Sequence, residues 1–546
     1  MPTAFTLSAL HRWIDRNFLE LGREMRLSYL PPLMVYCAAG VSGLTGIVGT
    51  FFVKDYLGLS AAFLAALGFW AGIPWALKMP IGHLVDLLWR HKAGLVYLGA
   101  GLIAASLMIM IFLIGEPETM RAMMPVEAWF VLATLLAPVG YVMQDAVADA
   151  MTVEAVPRVD EAGAAYPAET VRLMHTTMQM LGRVAIIGGT VLVSLANVAM
   201  FSGAESLSEP EKVAIYVRIY ELALLIPLLS VSGVLLAGWL KRREARRLRA
   251  LGRSRAEIDR LVHAPAETTA PNWWILGGSA AFVAITLTVG LSGLEFGQEL
   301  IFVSSFTIIA FMIRKLLREL SPEAARTLLG TVVVIFVFRA MPGAGAGASW
   351  WMIDELGFDQ SFLSRLDLIT STLTLAGLFL FRRFMAEKSI AHIVIFLTLA
   401  SALLSAPIIG MFHGLHEWTA AHTGGVVDAR FIAIANTALE SPLGQVSMVP
   451  MLAWIANSAP PHLKATFFAV MASFTNLALS ASQLGTKYLN QVFTVTREVR
   501  DATTGAVSVP ADYGELGLLL LSVTLLGLLL PLAAVGLTRL AGLRSA

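Results

Sequence analysis

The sequence is poor in cysteine and in charged residues, and both shortages exclude classes of protein. Cys37 is the only cysteine, so a disulfide framework and a cysteine-ligated metal site are ruled out. Only 14% of the 546 residues are charged and the formal net charge is +1. This balance argues against a nucleic-acid partner, because phosphate binding needs a concentrated basic surface. A Gly-x-x-x-x-Gly-Lys phosphate loop is also lacking, which argues against ATP hydrolysis.

Histidine does not indicate a metal site either. The one histidine cluster consists of His413, His416 and His422, and it lies beside Trp418 in a segment between two apolar runs. We interpret it as a solvated loop. No metal and no cofactor is expected.

Apolar residues dominate the rest of the chain. They make up 57% of it and give a mean hydropathy of +0.72, which indicates a protein whose solvent is lipid. A bilayer core of about 30 Å is crossed by about 20 apolar residues in a helix. Runs of this length recur along the chain, so we predict an all-α integral membrane protein. The fourteen predicted spans are 31–53, 61–82, 93–114, 127–152, 169–198, 214–240, 274–291, 296–314, 327–349, 364–381, 389–411, 429–455, 465–490 and 514–540.

Basic residues between the spans indicate the orientation, since Lys and Arg accumulate in cytoplasmic loops. The strongest basic segment is 241–263, and smaller basic loops at 90–92, 314–318 and 382–388 fall on the same side. Both termini are therefore predicted to be cytoplasmic. The predicted organisation is an amphipathic helix or solvated tail at 1–30, a first six-helix bundle at 31–240, a basic linker at 241–272, two additional helices at 273–314 and a second six-helix bundle at 327–541.

An internal repeat supports this division into two bundles. Residues 51–67 align without gaps to residues 350–366, so that Asp55 meets Asp354 and Gly58 meets Gly357. Each copy ends the first span of its bundle and begins the second. Repeated halves are typical of secondary transporters, in which one bundle rocks against the other around a site between them.

Three carboxylates interrupt the fourth apolar run: Asp145, Asp149 and Glu154. Asp145 and Asp149 are four residues apart and share one helix face. Two acids this close do not ionise easily together in a low dielectric, so one of them is expected to carry a proton. The alternative is a structural ion pair with arginines of the next span, for which Arg172 and Arg183 are the candidates.

Two basic residues within spans predict contacts to an anion. Lys78 precedes Pro80 in the second span, and it either meets an anionic group or extends to the nearby cytoplasmic interface. Arg339 is followed by Pro342 and three glycines, which loosen a helix as in the broken helices around transporter sites. We expect an anionic substrate group near Arg339, and the alternative is an ion pair with Glu440.

Polar amides and small residues also occur within the apolar runs. Hydrogen bonding between helices is the common role of such amides, and we expect only some of them, Asn476 foremost, to contact substrate. The amides are Gln179, Asn436, Gln445, Asn476 and Gln483. Three glycines are interpreted as sites of close helix packing: Gly43, Gly46 and Gly49.

Several motifs carry a resemblance to a known family. The segment 72–92 resembles the loop between the second and third helices of the major facilitator superfamily, with motif positions at Gly82, Asp86, Arg90 and Lys92. Three further segments, 145–154, 354–363 and 450–485, resemble the folate-biopterin transporter family within that superfamily. The muropeptide permease family is similar in the first half. One departure is Lys464-Ala465-Thr466, where the family usually has an acid before Ala-Thr.

The resemblance implies a major facilitator fold with two additional helices between its halves, and a secondary active transporter working by alternating access. It implies pterins or folates as solutes, and muropeptides or another aromatic or amphiphilic anion remain open. The paired acids favour proton coupling, and we expect a monomer in the inner cell membrane. A non-transporting assembly or pigment-handling protein on the same scaffold is the competing class. The expected roles are proton coupling for Asp145, Asp149 and Glu154; substrate binding for Lys78, Arg183, Arg339 and Asn476; and gating for Asp86, Arg90, Lys92 and Arg172.

Overall fold

A computed structural model of the chain describes residues 25–76, 78–160, 164–263, 271, 273–318, 320–448, 450–451, 464–500 and 507–545. The predicted element at 1–30 lies almost entirely outside the described residues. Within them the protein is nearly all helical, which confirms the predicted fold class.

The first six predicted spans all fold as helices, and the first and the sixth consist of two pieces. They are α1 (Leu30–Gly40) with α2 (Gly46–Tyr56), α3 (Ala61–Ala76) with α4 (Lys78–Leu87), α5 (Ala93–Gly115), α6 (Val126–Ala155), α7 (Ala168–Met200), and α8 (Glu209–Ala223) with α9 (Leu225–Ala250). Residue 77, between α3 and α4, lies outside the described residues. Short elements between or before them are the 3-10 turns Leu27–Tyr29, Val41–Thr45 and Ala204–Ser206 and the helix Pro117–Met123.

The linker and the second half follow in the predicted order. The linker contains the short helix Arg255–Ile258 and the π-helical turn Asp259–His263, and the two additional helices are α10 (Trp273–Leu291) and α11 (Gly297–Arg318). The second bundle comprises α12 (Pro322–Arg339), α13 (Ala346–Asp354), α14 (Gln360–Leu380), α15 (Ile390–Phe412), α16 (Ala429–Glu440), α17 (Lys464–Val492) and α18 (Leu516–Leu540). Its shorter elements are Arg382–Glu387, Leu415–His422, Ser441–Leu443 and an antiparallel pair of strands, β1 (Val499–Arg500) and β2 (Val507–Val509).

Eleven helical stretches of the described residues are long and apolar enough to cross a bilayer. The three other predicted spans also contain helices, namely α12 with α13, α16, and α17. The chain between α12 and α13 is not helical because Pro342 lacks a backbone donor and Gly345 has a φ of 75°. This confirms the loosening predicted for that span, whereas the count of fourteen spans stays a prediction.

Glycines allow the backbones of neighbouring helices to touch, but not at the positions predicted. A Cβ added at Gly99 would lie 2.6 Å from the carbonyl oxygen of Gly140, so α5 and α6 meet backbone to backbone. The prediction of close packing is wrong for three glycines, whose added Cβ would meet no atom within 4 Å: Gly43, Gly46 and Gly49. The reason is the 3-10 turn Val41–Thr45, which interrupts the helix face on which the prediction relied.

Two pairs of helices join the bundles. On one side α17 packs along α3, where Asn476 Nδ2 donates to the carbonyl oxygen of Trp75 at 2.9 Å. On the other side α14 packs along α7, and the hydroxyl of Ser371 donates to that of Ser194 at 3.2 Å. We call these contacts the α3–α17 seam and the α7–α14 seam.

The two additional helices lie against the α3–α17 seam. Gln298 Nε2 at the start of α11 donates to the carbonyl oxygen of Ala66 on α3 at 3.1 Å. The next residue, Glu299, accepts from Lys487 Nζ at 2.9 Å and from the hydroxyl of Tyr488 at 2.5 Å, both on α17. The helix α11 is therefore bonded to both bundles.

Candidate functional site

Three helices of the first bundle bring charged groups together in the lipid-embedded part of the chain. Lys78 Nζ of α4 lies 2.5 Å from Asp145 Oδ2 and 2.9 Å from Asp149 Oδ2, both on α6. The hydroxyl of Tyr36 on α1 donates to Asp149 Oδ1 at 2.6 Å. We call these four residues the acid–lysine site. The predicted shared face of the two acids is confirmed.

Hydrogen bonds on α6 and from α7 support this arrangement. On α6 the hydroxyl of Thr152 donates to the carbonyl oxygen of Asp149 at 2.7 Å, and Gln179 of α7 donates to that hydroxyl at 3.2 Å. The site is therefore held from α1, α4, α6 and α7.

The partners predicted for the acids need correction. An ion pair with arginines of α7 was the alternative, but Arg183 forms no ion pair with either acid, and the side chain of Arg172 lies outside the described residues. Of the two alternatives for Lys78, the structure shows contact with anionic groups and not extension to the interface, because both acids hold it inside the bundle. A lysine between two carboxylates avoids the cost of leaving any of the three charges isolated in lipid.

The charges of the acid–lysine site do not balance. Two carboxylates share one ammonium group, so the site carries an excess negative charge unless one acid is protonated. Asp149 is the accessible acid, with 43% of its side chain exposed against 15% for Asp145. Water therefore reaches the carboxylate of Asp149 more easily than that of Asp145.

Glu154 belongs to a separate cluster. It is five residues after Asp149, which turns it to another face of α6. Its carboxylate lies 2.6 Å from Lys92 Nζ and 2.9 Å from Lys241 Nζ at the end of the bundle that carries the linker. We call this end the basic face. The geometry separates Glu154 from the two aspartates with which the prediction of proton coupling grouped it.

The other predicted gating residues also lie at the basic face. Arg90 Nη2 pairs with Asp259 Oδ2 of the linker at 2.6 Å, whereas Asp86 forms no ion pair with a described residue. Lys92 Nζ lies 3.6 Å from the centre of the Trp89 ring. Burial lowers the pKa of Lys92 to about 8, although Glu154 opposes this shift. A buried lysine with such a pKa changes charge close to physiological pH.

Arg339 and Asn476 bind backbone or sulfur atoms of the second bundle and its seam. Arg339 Nε donates to the carbonyl oxygen of Thr475 at 3.2 Å, and Nη1 lies 3.5 Å from Met448 Sδ. The predicted alternative, an ion pair with Glu440, does not form in the described structure. Arg339 borders a cavity of about 10 Å³ that is also lined from α15, a space for one water molecule.

The end of the molecule opposite the basic face is closed by groups that sequence reasoning missed. Lys54 Nζ of α2 lies 2.6 Å from Asp354 Oδ1 at the end of α13 and 3.3 Å from Asp55 Oδ1. The hydroxyl of Tyr513 donates to Asp354, and Arg497 donates to the carbonyl oxygen of Lys54. We call this group the closing cluster. The repeat had drawn attention to Asp55 and Asp354, but not to the lysine that they share.

Two charged residues within α14 were also missed. Arg365 and Asp367 are both exposed, although they lie inside a predicted span. Their signal was the same as for Asp145, namely a charge within an apolar run. Asp367 forms no hydrogen bond or ion pair with a described residue.

The sequence is similar to that of known membrane proteins. The BT1 family matches residues 39–539, which is nearly the whole chain. The chain belongs to the BT1 family. A folate-biopterin transporter from Synechocystis sp. is 22% identical over 480 residues, covering 87% of this chain and 77% of that protein. Folate transporter 2 from Plasmodium falciparum is 27% identical over 159 residues, covering 29% of this chain and 33% of that protein.

Solved structures identify the fold of this BT1-family protein. A POT family transporter in complex with 5-aminolevulinic acid superimposes with a TM-score of 0.55 and 12% identity, covering 96% of this chain and 95% of that one. A mutant of the nucleoside transporter NupG superimposes with a TM-score of 0.52 and 12% identity, covering 93% of this chain and 98% of that one. The protein therefore has the major facilitator fold, as predicted. It is a membrane solute transporter and not an enzyme.

Proposed function

We propose that this BT1-family protein is a proton-coupled secondary transporter of a pterin- or folate-like anion. The observation that carries the proposal is Lys78 held between Asp145 and Asp149. The name of the Synechocystis relative supports the solute class. Muropeptides are the second candidate, on the sequence similarity of the first half alone.

Proton uptake at the acid–lysine site removes its excess negative charge. A proton from water binds to an Oδ atom of Asp149, the more exposed acid, while Asp145 stays paired with Lys78. The site then no longer repels a substrate carboxylate, and Arg183 on α7 supplies a cation for it. Substrate and proton therefore bind together, which couples their movements.

The bundles rock around this site, and each end has its own closing contacts. The closing cluster joins Lys54 of the first bundle to Asp354 of the second. At the basic face Glu154, Lys92, Arg90 and Asp86, with Arg172 nearby in the chain, control access from the linker side. Arg339 and Asn476 hold α17 at the seam through backbone oxygens and do not carry the substrate charge.

The membrane placement completes the proposal. The basic linker and loops favour a cytoplasmic basic face and cytoplasmic termini in the inner cell membrane. The closing cluster then faces the outside. We propose a monomer, because each chain contains both bundles and a complete seam on each side.

Uptake by proteoliposomes tests the function. Labelled folate and pterin are offered to vesicles containing the wild type, with and without an imposed pH gradient. Uptake above that of empty vesicles, increased by the gradient, is expected. Asp149→Asn is expected to lose the response to the gradient but to keep exchange between substrate pools. The control Asp428→Asn changes a helix cap that Asn replaces well, and it should behave as wild type.

Two results would contradict the proposal. Wild-type uptake no faster than in empty vesicles, for folate and pterin at either gradient, would exclude this solute class. Uptake of a muropeptide but not of folate under the same conditions would favour the second candidate.

A further inference from the structure

Asp367 lies on the face of α14 that is turned toward the first bundle. It follows Ser364 by three residues and precedes Ser371 by four, so the three side chains share one face. Ser364 is fully buried, and the hydroxyl of Ser371 donates to Ser194 of α7. One turn earlier on the same face, Gln360 Nε2 donates to the hydroxyl of Tyr216 on α8 at 2.8 Å.

The segment at Ser441 and Pro442 is the second neighbour of α14, and its contacts further define the direction in which Asp367 points. Thr374 donates to the carbonyl oxygen of Ser441, and Gly377 packs against the backbone of Pro442. Around the axis of α14, Asp367 lies on the shorter arc between these contacts and the contact to α7. In a ring of helices, the shorter arc between a helix's two neighbours faces the interior of the ring, and the longer arc faces lipid. Asp367 therefore faces the space between the bundles.

Asp367 is exposed in this position, although its neighbours on the same face are buried. The bundles thus stand apart around its carboxylate. It has no hydrogen-bond or ion-pair partner among the described residues, and Arg365 lies on another face of α14. A charged group within a span is costly unless it meets water, a partner or a ligand.

We propose that Asp367 binds the 2-amino-4-oxo edge of the pterin ring, an inference that rests on the proposed function. This edge presents two parallel N–H donors, the 2-amino group and ring N3–H. A carboxylate has two acceptor oxygens with the matching spacing, as in its pairing with a guanidinium group. The donor end of the solute binds the second bundle at Asp367, and its anionic end binds the first bundle near Lys78 and Arg183.

This placement gives the solute a role in closing the transporter. A solute held at both ends bridges the two bundles, whereas a solute with only one of the two ends binds one bundle. Binding energy at Asp367 is therefore realised fully only when the bundles have closed around the solute.

Binding of pterin and lumazine to the purified full-length protein tests the proposal. Lumazine has an oxo group in place of the 2-amino group and so lacks one of the two donors. By analogy with sites built around a hydrogen-bonded group, wild type is expected to prefer pterin by about tenfold or more. Asp367→Asn offers one acceptor and a mismatched donor, and its preference should fall to within about twofold, by loss of pterin affinity. The control Asp428→Asn should keep the wild-type ratio.

A second variant covers the case in which Asp367→Asn fails to fold. Asp367→Glu keeps the charge and shifts the carboxylate by one methylene, so it should also reduce the ratio, whereas a carboxylate that is only solvated would tolerate the change. A wild-type protein that binds neither pterin nor folate would refute the proposed function itself. A wild-type preference for pterin that survives in Asp367→Asn or Asp367→Glu would overturn the assignment of Asp367 alone. An altered pH dependence of uptake with an unchanged ratio would also overturn it, in favour of a proton-carrying role.

Discussion

Lys54 is shared by two acids that the internal repeat makes equivalent, since its Nζ lies 2.6 Å from Asp354 and 3.3 Å from Asp55. The position equivalent to Lys54 in the second copy is Ile353. The repeat therefore supplies two carboxylates but only one cation. Lys54 can close the molecule by pairing with the distant acid, or remain with its own neighbour when the bundles part.

Asp354→Asn is expected to favour the state in which the closing cluster is open. The substitution removes the charge that attracts Lys54 across the bundles and leaves Asp55 as its partner. For a pair that is about three-quarters buried we expect a loss of about 1–2 kcal/mol, or roughly a tenfold shift in population. Spin labels at positions 56 and 355, in a Cys37→Ser background, measure the distance across the cluster.

The matched control for that experiment is Glu118→Gln, which removes an exposed pair with Arg121 on the same end of the first bundle. It should leave the distance distribution unchanged. Equal distributions in Asp354→Asn and wild type would show that the ion pair does not hold this end closed.

Lys78→Gln is expected to destabilise the protein. It leaves two neighbouring carboxylates without their shared cation. We expect about 2–3 kcal/mol, less than the ~3–5 kcal/mol of a fully buried pair, because 22% of the Lys78 side chain is exposed. Thermal unfolding in detergent measures the loss.

The double variant Lys78→Gln/Asp145→Asn separates charge from packing. It leaves Asp149 as the one carboxylate and so returns the site to its wild-type net charge, and it should therefore be more stable than Lys78→Gln. A double variant whose loss equals the sum of the two single losses would show that the three groups do not interact.

The stability of the protein should respond to pH through Lys92. Burial lowers the pKa of Lys92 to about 8, whereas a lysine of the unfolded chain titrates at about 10.4. Between these values the unfolded chain binds more protons, so this group makes stability rise with pH across that window and fall as pH drops through about 8.

The check is the difference in unfolding temperature between wild type and Lys92→Gln from pH 7 to pH 9.5. The unfolding temperature of the wild type should increase relative to that of Lys92→Gln as pH rises. A constant difference would place the pKa of Lys92 outside this range.

Glu299→Gln should loosen the additional helices without stopping uptake. Glu299 accepts from Lys487 and Tyr488, and the change removes the charged acceptor. We expect a loss of about 1–2 kcal/mol in stability, measured by thermal unfolding alongside uptake. Glu295→Gln is the control, because that exposed acid has no described partner. An unchanged unfolding temperature in Glu299→Gln would contradict the bond between α11 and α17.

The spans and the shared face of Asp145 and Asp149 could be predicted because hydropathy and the 3.6-residue period are local properties. The partner of those acids could not. Lys78 lies 67 residues before Asp145, and only the packing of α4 on α6 decides that it, rather than Arg183, lies within bonding distance.

Glu154 shows the limit of reading a motif as one unit. It follows Asp149 closely in sequence, yet five residues turn it to a different face and to different partners. Arg339 shows another limit. Its position in a loosened span was predicted, but the direction of its side chain depends on the carbonyl oxygen of Thr475, 136 residues later.

The bonds of α11 to both bundles reinforce the α3–α17 seam. Gln298 bonds this helix to α3, and Glu299 bonds it to α17, so α11 links the two bundles along one edge. Parting the two halves along the α3–α17 seam would therefore break these bonds as well as the bond of Asn476 to Trp75.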